Sequence, residues 1–397
     1  MRRKVSVYRM LFWYGFFCVG ANIAHSFTPK MFTDLGLPDY MFGVAFACMA
    51  LMGLLTSPLW GKLSDQSGRV SMFAVGCVGY AVSQYLFCIA GTSIPIILAR
   101  LLGGIFAAPM NVCSLAYLVD VTQPEERGRF MSYYAAITSV CVAGGYLLGG
   151  MLGDISVVLG FSVQILLLLL AAVGILLQVK DTSCSGEKKR KKIHFSEINP
   201  FAAMIDAKKV LTKRSLLFFV IILIVTFMST AFDNNFNYYI RAELGFPTTY
   251  NGIIKAVIGV LGLAANFTIN LWIARHTNQR KSLVWILAAT AAVLAGIVLF
   301  DSVAVFVVLS IIGLILNAVH LPILQTLSTS DSEGASNGIL AGLFNSFRSI
   351  GQVIGSLFAG FIYAYGGKLP FLSAGIACLL AVLLGMINIR QYRDIEN

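Results

Sequence analysis

The chain has 397 residues, of which 58% are hydrophobic and only 12% are charged, and its mean hydropathy is +0.81. A water-soluble domain of this composition could not cover its surface with polar groups, so the composition predicts a chain that lies mostly in a bilayer. The net charge of +11 does not indicate binding to nucleic acid. The cations collect between apolar runs, where membrane topology requires them.

Apolar runs of about 20 residues have the length of membrane spans. They predict an all-α integral membrane protein with twelve transmembrane helices in two six-helix bundles. The predicted spans are Tyr8–Thr28, Tyr40–Trp60, Val70–Gly91, Ile94–Val119, Phe130–Gly153, Leu159–Val179, Ser215–Ile240, Asn251–Ala274, Ser282–Phe300, Val303–Leu327, Ser336–Tyr363 and Leu369–Ile389. The predicted domains are 1–179, a basic linker at 180–214, and 215–397 with a short tail.

Positive charge sets the predicted topology. If the spans alternate in direction, 23 of the 29 Lys and Arg residues lie on the side of the N-terminus. The positive-inside rule then places both termini and the linker in the cytoplasm of a multi-pass protein of the cell membrane. The basic run Gly186–Lys192 is expected to anchor this topology, although it would also attract anionic lipid. The weakly amphipathic segment Phe195–Lys209 suits the membrane interface.

Metal, cofactor and nucleotide chemistry have no support in the sequence. Seven of the eight cysteines lie in apolar runs, and no C-x-x-C spacing occurs, so they are interpreted as packing residues. The phosphate-binding pattern Gly-x-x-x-x-Gly-Lys-Ser/Thr is absent. We therefore expect no enzyme, no metal and no cofactor. The expected partners of a monomeric protein are a small organic solute, protons and lipid.

A short charged segment, Gly61–Arg69, separates the second and third apolar runs. Gly61 and Gly68 are expected to permit a tight turn, while Asp65 and Arg69 carry charges that are costly in hydrocarbon. The pattern Gly-x-x-x-Asp-x-x-Gly-Arg closely resembles the loop between helices 2 and 3 of the major facilitator superfamily of transporters. An ordinary interhelical turn is the alternative interpretation.

This resemblance implies two six-helix bundles that work by alternating access. Asp65 and Arg69 would help to close the cytoplasmic face, with Asp65 near the start of the eleventh helix around Ser336. The substitution Asp65→Asn is then expected to lower transport without abolishing membrane insertion.

The two halves of the chain look like repeats. At one fixed offset Asn111 matches Asn317, Gly145 matches Gly351, and Gly149 matches Gly355, as parallel repeats in transporters predict.

Glycines recur at a spacing of four residues in the fifth predicted span. Gly153 extends the four-residue spacing of Gly145 and Gly149, which strips one helix face so that a neighbouring backbone can approach. Plain packing and a rocking interface between the halves both remain open. The fifth-span run resembles the antiporter signature Gly-Pro-x-x-Gly-Gly of drug exporters in the superfamily, but Tyr146 replaces the proline.

Asp233 is the acidic residue that lies well inside a predicted span. A buried carboxylate needs a partner or a proton, and Arg348 in the eleventh span is the candidate partner. Both stretches resemble the seventh and eleventh helices of the oligosaccharide/proton symporters, where an acid pairs with a base. Either a structural salt bridge or a proton-coupling pair fits.

Several other polar residues are expected at membrane depth. Arg100 belongs to a segment that resembles the Arg-x-x-x-Gly-x-x-x-Ala element of the superfamily, and a side chain that extends to the membrane interface is the alternative interpretation. Histidines on such helices fit either hydrogen-bonded packing or a proton relay. The candidates for a substrate cavity are Asn22, His25, Arg100, Asn111, Asn235, Asn237, Tyr238, Asn317, His320, Gln325 and Asn345.

These features predict a secondary transporter, with proton-coupled export of a small organic solute as the leading function. Proton-coupled import of a sugar or related nutrient is the alternative, although the eighth span lacks the glutamate that sugar recognition would need. A non-transporting receptor or sensor is the alternative from another class, and it would be expected to carry a soluble domain or a long ligand-binding loop.

Overall fold

The computed structural model describes residues 2–181, 199, 213–330 and 337–396. Within these residues all regular structure is helical, as predicted. Their twelve long helices are α1 (Arg2–Asp34), α2 (Tyr40–Ser67), α3 (Arg69–Ile89), α4 (Ser93–Val121), α5 (Pro124–Ile155), α6 (Val157–Gln178), α7 (Lys213–Ala242), α8 (Thr248–His276), α9 (Gln279–Leu299), α10 (Val303–Ser330), α11 (Asn337–Tyr363) and α12 (Leu369–Glu396). Ser336, the run Gly186–Lys192 and most of the segment Phe195–Lys209 lie outside the described residues.

Ten of the helices in the described ranges are long and apolar enough to cross a membrane. The other two are α1 and α11, which carry polar side chains such as His25 and Arg348 in the parts predicted to span the bilayer. Polar residues inside a span are costly in hydrocarbon and often functional. These two helices are therefore strong candidates for a functional role.

The turn predicted over Gly61–Arg69 is shorter than expected. Helix α2 continues through Ser67, so Gly61 is helical, and only Gly68 separates α2 from α3. Gly68 has φ 100° and ψ 143°, a region that is essentially restricted to glycine. The polar residues before Gly68 form the last turns of α2 and not a loop. The chain therefore changes direction at Gly68 alone.

Two compact units divide the chain. Unit 1 comprises residues 1–37, 48–200 and 246–259, and unit 2 comprises residues 38–47, 201–245 and 260–397. The main division falls inside the segment that the sequence predicts as a linker. Helices α2 and α8 belong to both units, because α2 changes unit after Ala47 and α8 after Gly259. We call the C-terminal end of each odd-numbered helix and the N-terminal end of each even-numbered helix its distal end, and the opposite end proximal.

Glycines allow α5 to pack closely on α1 in unit 1. A Cβ atom added at Gly145 would lie 2.5 Å from the carbonyl oxygen of Val19, and one added at Gly149 would overlap the backbone of Ile23. Such distances are far inside van der Waals contact, so larger residues would push the helices apart.

Unit 2 repeats this arrangement between α11 and α7. A Cβ atom at Gly351 would lie 2.6 Å from the carbonyl oxygen of Leu223, and one at Gly355 would lie 2.6 Å from that of Phe227. Each of these glycine faces packs against a helix from its own half of the sequence. The contacts at Gly145, Gly149, Gly351 and Gly355 thus fit plain packing, and the choice between packing and a rocking interface stays a prediction.

Other glycines bring together helices from different halves of the sequence. In unit 1, a Cβ atom at Gly150 of α5 would lie 3.0 Å from the Cα atom of Gly252 in α8. In unit 2, a Cβ atom at Gly43 of α2 would lie 2.7 Å from the Cα atom of Gly360 in α11. Both contacts lie toward the distal ends of their helices, and each involves a segment that has changed unit.

Candidate functional site

A polar network surrounds Arg69 at the proximal end of unit 1. Arg69 donates through Nη1 to Ser64 Oγ at 2.6 Å and through Nε to Asp120 Oδ2 at 3.1 Å, and its Nη2 atom pairs with Asp65. These contacts connect the end of α2, the start of α3 and the end of α4. The charged motif thus joins three helices in addition to forming a turn.

Asp181 adds a contact that the sequence analysis does not single out. Its carboxylate accepts hydrogen bonds from the backbone nitrogens of Val70 and Ser71 at 3.1 and 3.0 Å, and from Ser71 Oγ at 2.9 Å. Because the first N–H groups of a helix lack partners within the helix, Asp181 caps α3. A Cβ atom at Gly68 would overlap the carboxylate, so this cap requires glycine there.

Arg100 is buried in unit 1, with 2% of its surface exposed. Its Nη2 atom donates to Thr28 Oγ1 at 3.2 Å, and its guanidinium carbon lies 3.9 Å from the ring centroid of Phe87. A side chain that extended to the membrane interface would remain exposed. The burial therefore excludes that alternative and leaves a permanent positive charge inside α4.

Lys255 of α8 is a second buried cation in unit 1, with 8% of its surface exposed. Its Nζ atom lies 5.6 Å from the ring centroid of Tyr146, and that ring stacks on His25 with centroids 6.0 Å apart. Tyr146 stands where the antiporter signature has proline. The substitution places an aromatic ring between a histidine and a lysine.

Hydrogen bonds fix the backbone around these side chains. Ser26 Oγ donates to the carbonyl oxygen of Tyr146 at 2.6 Å, and Asn251 Nδ2 donates to the carbonyl oxygen of Ser26 at 3.3 Å. His25 and Thr28 lie one turn apart on α1, so the Tyr146 ring that stacks on His25 and the Arg100 side chain that donates to Thr28 belong to one region of unit 1. We call this group the basic cluster: His25, Thr28, Arg100, Tyr146 and Lys255.

A second carboxylate cap connects α5 and α8, the helices that carry Tyr146 and Lys255 of the basic cluster. Asp154 of α5 accepts hydrogen bonds from the backbone nitrogens of Thr248 and Thr249 at 2.7 and 2.9 Å, and from Thr248 Oγ1 at 2.7 Å. Thr248 Oγ1 also lies 2.7 Å from the carbonyl oxygen of Gly150. Asp154 therefore caps the N-terminus of α8 at its distal end.

Two tyrosines bind carboxylates at the distal end of unit 2. The hydroxyl of Tyr238 donates to Asp39 Oδ1 at 2.8 Å, and that of Tyr363 donates to Glu243 Oε1 at 3.1 Å. The two rings meet edge to face with centroids 5.0 Å apart. This arrangement ties the start of α2 to the ends of α7 and α11.

The asparagines that follow Asp233 are held in unit 2. Asn234 Nδ2 donates to Ser356 Oγ at 2.9 Å, and Asn235 Nδ2 donates to the carbonyl oxygen of Gly367 at 3.2 Å. Both asparagines line a small cavity that also includes Tyr238. Asn237 is buried as well, with 1% of its surface exposed.

The remaining cavity candidates have varied surroundings. In unit 1, Asn22 Nδ2 donates to the carbonyl oxygen of Cys18 on its own helix at 2.8 Å, and Tyr14 donates to Asn111 Oδ1 at 3.3 Å.

In unit 2, His320 is buried with Nε2 3.2 Å from Ser229 Oγ, while Asn317 is half-buried, and Gln325 and Asn345 are exposed. The proposed cavity lining is thus distributed over both units, and its role stays a prediction.

The packing of α7 on α11 places Asp233 and Arg348 at different levels. Asn234 is level with Ser356, whereas Gly351, one turn from Arg348, lies against Leu223. The levels of Asp233 and Arg348 therefore differ by two or more helical turns, which corresponds to more than about 10 Å along the helices. This register favours separate roles for the two side chains, and their pairing stays a prediction.

The sequence model of the Major Facilitator Superfamily matches residues 10–355. The chain belongs to the major facilitator superfamily. Members of this superfamily are transporters and not enzymes, so the protein is a multi-pass membrane transporter.

Relatives match this superfamily transporter almost from end to end. It is 25% identical over 374 residues to Multidrug resistance protein 2 of Bacillus subtilis (strain 168), covering 93% of this chain and 91% of the relative. It is 23% identical over 376 residues to Quinolone resistance protein NorA of Staphylococcus aureus (strain MRSA252), covering 94% of each. A solved bacterial homologue of the human lysosomal transporter Spinster matches with a TM-score of 0.80 and 14% identity over 99% of this chain and 98% of that chain, which supports the fold.

Three residues of this superfamily transporter that make contacts at these sites are not among the residues predicted from the sequence: Lys255, Asp154 and Asp181. Lys255 carries a detectable signal, because it is a charged residue inside the predicted span Asn251–Ala274. The two aspartates border predicted spans, where charge is ordinary. Their roles depend on which helix end lies beside them, and only the tertiary structure specifies that.

Proposed function

We propose that this transporter exports a small organic solute from the cytoplasm and couples export to protons that move inward. The end-to-end match to proteins named for multidrug and quinolone resistance carries this proposal. The excess of Lys and Arg on the side of the N-terminus supports a cytoplasmic location for both termini. The distal ends of the helices then lie on the outside of the cell membrane.

The geometry supports alternating access. The close contacts at Gly150–Gly252 and Gly43–Gly360 join segments from different halves of the sequence, so release of solute at the distal side requires them to separate. Polar and charged side chains inside the spans, such as Arg100 and Lys255, supply groups that can bind solute. Asp233 is the proposed proton site, because it is the acidic residue that lies well inside a predicted span.

Transport by purified protein in inside-out liposomes tests the proposal. We expect accumulation of a dye such as ethidium or rhodamine B when the lumen is made acidic, and loss of accumulation when an ionophore collapses the pH gradient. Asp233→Asn should abolish the gradient dependence in protein that still folds, as checked by size-exclusion chromatography, and Asp301→Asn is the matched acidic control. Gradient-driven movement of lactose but of no dye would contradict export and favour the nutrient importer.

A further inference from the structure

The basic cluster of unit 1 contains two buried cations on different helices at the same depth. Arg100 follows the start of α4 at Ser93 by seven residues, and Lys255 follows the start of α8 at Thr248 by seven residues. Each therefore lies about 10 Å from the distal end of its helix and within a span that the sequence predicts, Ile94–Val119 or Asn251–Ala274. Placing two cations at this depth is costly, and such residues usually mark the path of a substrate or ion.

We propose that the basic cluster binds a negatively charged group, so that the transported solute is an organic anion or a zwitterion with a free carboxylate. This inference rests on the proposed export and specifies its substrate class. Arg100 Nη2 reaches Thr28 Oγ1, and Lys255 Nζ faces the Tyr146 ring. A solute carboxylate beside these groups interacts favourably with both charges, and the low local dielectric strengthens the attraction.

The surroundings of the cations also suit the rest of such a solute. Tyr146 and His25 are half-buried, so the cluster has an accessible edge. The stacked Tyr146 and His25 rings offer aromatic surface to a solute at this edge. The cluster thus combines charge for an anionic group with aromatic surface for an apolar body.

The arrangement depends on a residue that departs from the antiporter signature. Proline at position 146 would remove the ring that lies between His25 and Lys255. The carbonyl oxygen of Tyr146 accepts from Ser26, and Asn251, one turn before Lys255, donates to the Ser26 carbonyl. These hydrogen bonds hold α1, α5 and α8 in the register that gathers the cluster.

Dye binding to purified protein in nanodiscs tests this inference without a pH gradient. Rhodamine B carries a free carboxylate, and its ethyl ester has the same ring system with that carboxylate masked. We expect the wild type to bind the acid about tenfold or more tightly than the ester, by fluorescence anisotropy with empty nanodiscs subtracted. Lys255→Met should bring the ratio of the two affinities close to one, and Lys255→Arg should restore it.

Lys368→Met serves as the matched control, because Lys368 lies in unit 2 beside Asp301, and it should keep the wild-type ratio. Lys255→Gln replaces Lys255→Met if the methionine variant does not fold. Equal affinity for acid and ester, no binding of the acid, or an equal loss for both dyes in the Lys255 variant would overturn the inference. A preserved preference for the acid without gradient-driven accumulation would instead contradict the proposed export and leave the binding site standing.

Discussion

Two aspartates each cap a helix that begins elsewhere in the chain, and they do so with the same chemistry. Asp181 accepts two backbone N–H bonds and a hydroxyl bond at the start of α3, and Asp154 does the same at the start of α8. In each case a carboxylate satisfies N–H groups that the helix itself cannot and stabilises the positive end of its dipole.

The two caps differ in what they connect. Asp181 follows α6 and caps α3, which lies in the same half of the sequence, whereas Asp154 on α5 caps α8 from the other half. Asp181 is half-buried, and Asp154 is exposed. We therefore expect the Asp181 cap to be a permanent structural contact and the Asp154 cap to break during transport.

Gly68→Ala should have the largest effect on the Asp181 cap. A non-glycine residue at φ 100° and ψ 143° costs about 1–3 kcal/mol in backbone strain, and the new Cβ atom would overlap the Asp181 carboxylate. We expect a loss of about 2 kcal/mol or more in the free energy of unfolding, measured as a lower thermal unfolding temperature of the purified protein.

Gly36→Ala is the matched control for this substitution. Gly36 has φ 61°, and a Cβ atom added there meets nothing within 4 Å, so only the strain of about 1–2 kcal/mol applies. The difference between the variants measures the Asp181 contact. Equal destabilisation would show that Asp181 does not depend on Gly68.

Asp154→Ala and Asp181→Ala should distinguish the cap that breaks during transport from the permanent cap. Both substitutions should lower the stability by a similar amount. Each removes a helix cap worth about 1 kcal/mol. We expect Asp154→Ala to increase labelling of a cysteine placed at Thr249 by an impermeant maleimide, in a background without native cysteines, because α8 can then leave α5 more readily. Asp181→Ala should leave this labelling unchanged, and an equal increase in both variants would contradict the distinction.

The fold was largely predictable because its determinants are local. Runs of about 20 apolar residues specify spans, and the glycine spacing at Gly145 and Gly149 indicates a close helix neighbour. The sequence could not identify that neighbour. Nor could it foresee that Gly61 is helical, because glycine and charge suit a helix end as well as a loop.

The candidate site was less predictable because it depends on register and on pairs of helices. Asp233 and Arg348 are a sensible pair by charge, yet the contact of Asn234 with Ser356 places them at different levels. From the sequence alone, Tyr146 is recognised only as the residue that replaces the proline of the antiporter signature. Its position between His25 and Lys255 becomes visible once α1, α5 and α8 pack together.

Asp301 extends the comparison to a fully exposed carboxylate. Lys368 Nζ lies 2.7 Å from Asp301 Oδ1 and also donates to the carbonyl oxygen of Phe300 at 2.9 Å, at the end of α9. The hydrogen bond from Lys368 and the positive charge of Lys368 lower the pKa of the Asp301 carboxyl below the ordinary value of 3.8. A lowered pKa in the folded state stabilises the protein above the unfolded-state pKa, and this contribution is lost as the pH falls through the folded-state pKa.

Asp301→Asn should therefore have the smallest effect of the series. Because water screens an exposed ion pair, we expect a slightly lower unfolding temperature than the wild type at pH 7. The two proteins should converge as the pH falls below about 4. Lys368→Met should keep its deficit at acidic pH, because it also loses the bond to the α9 carbonyl at every pH. A deficit of Asp301→Asn that persisted unchanged at acidic pH would show that the carboxylate charge does not stabilise this loop.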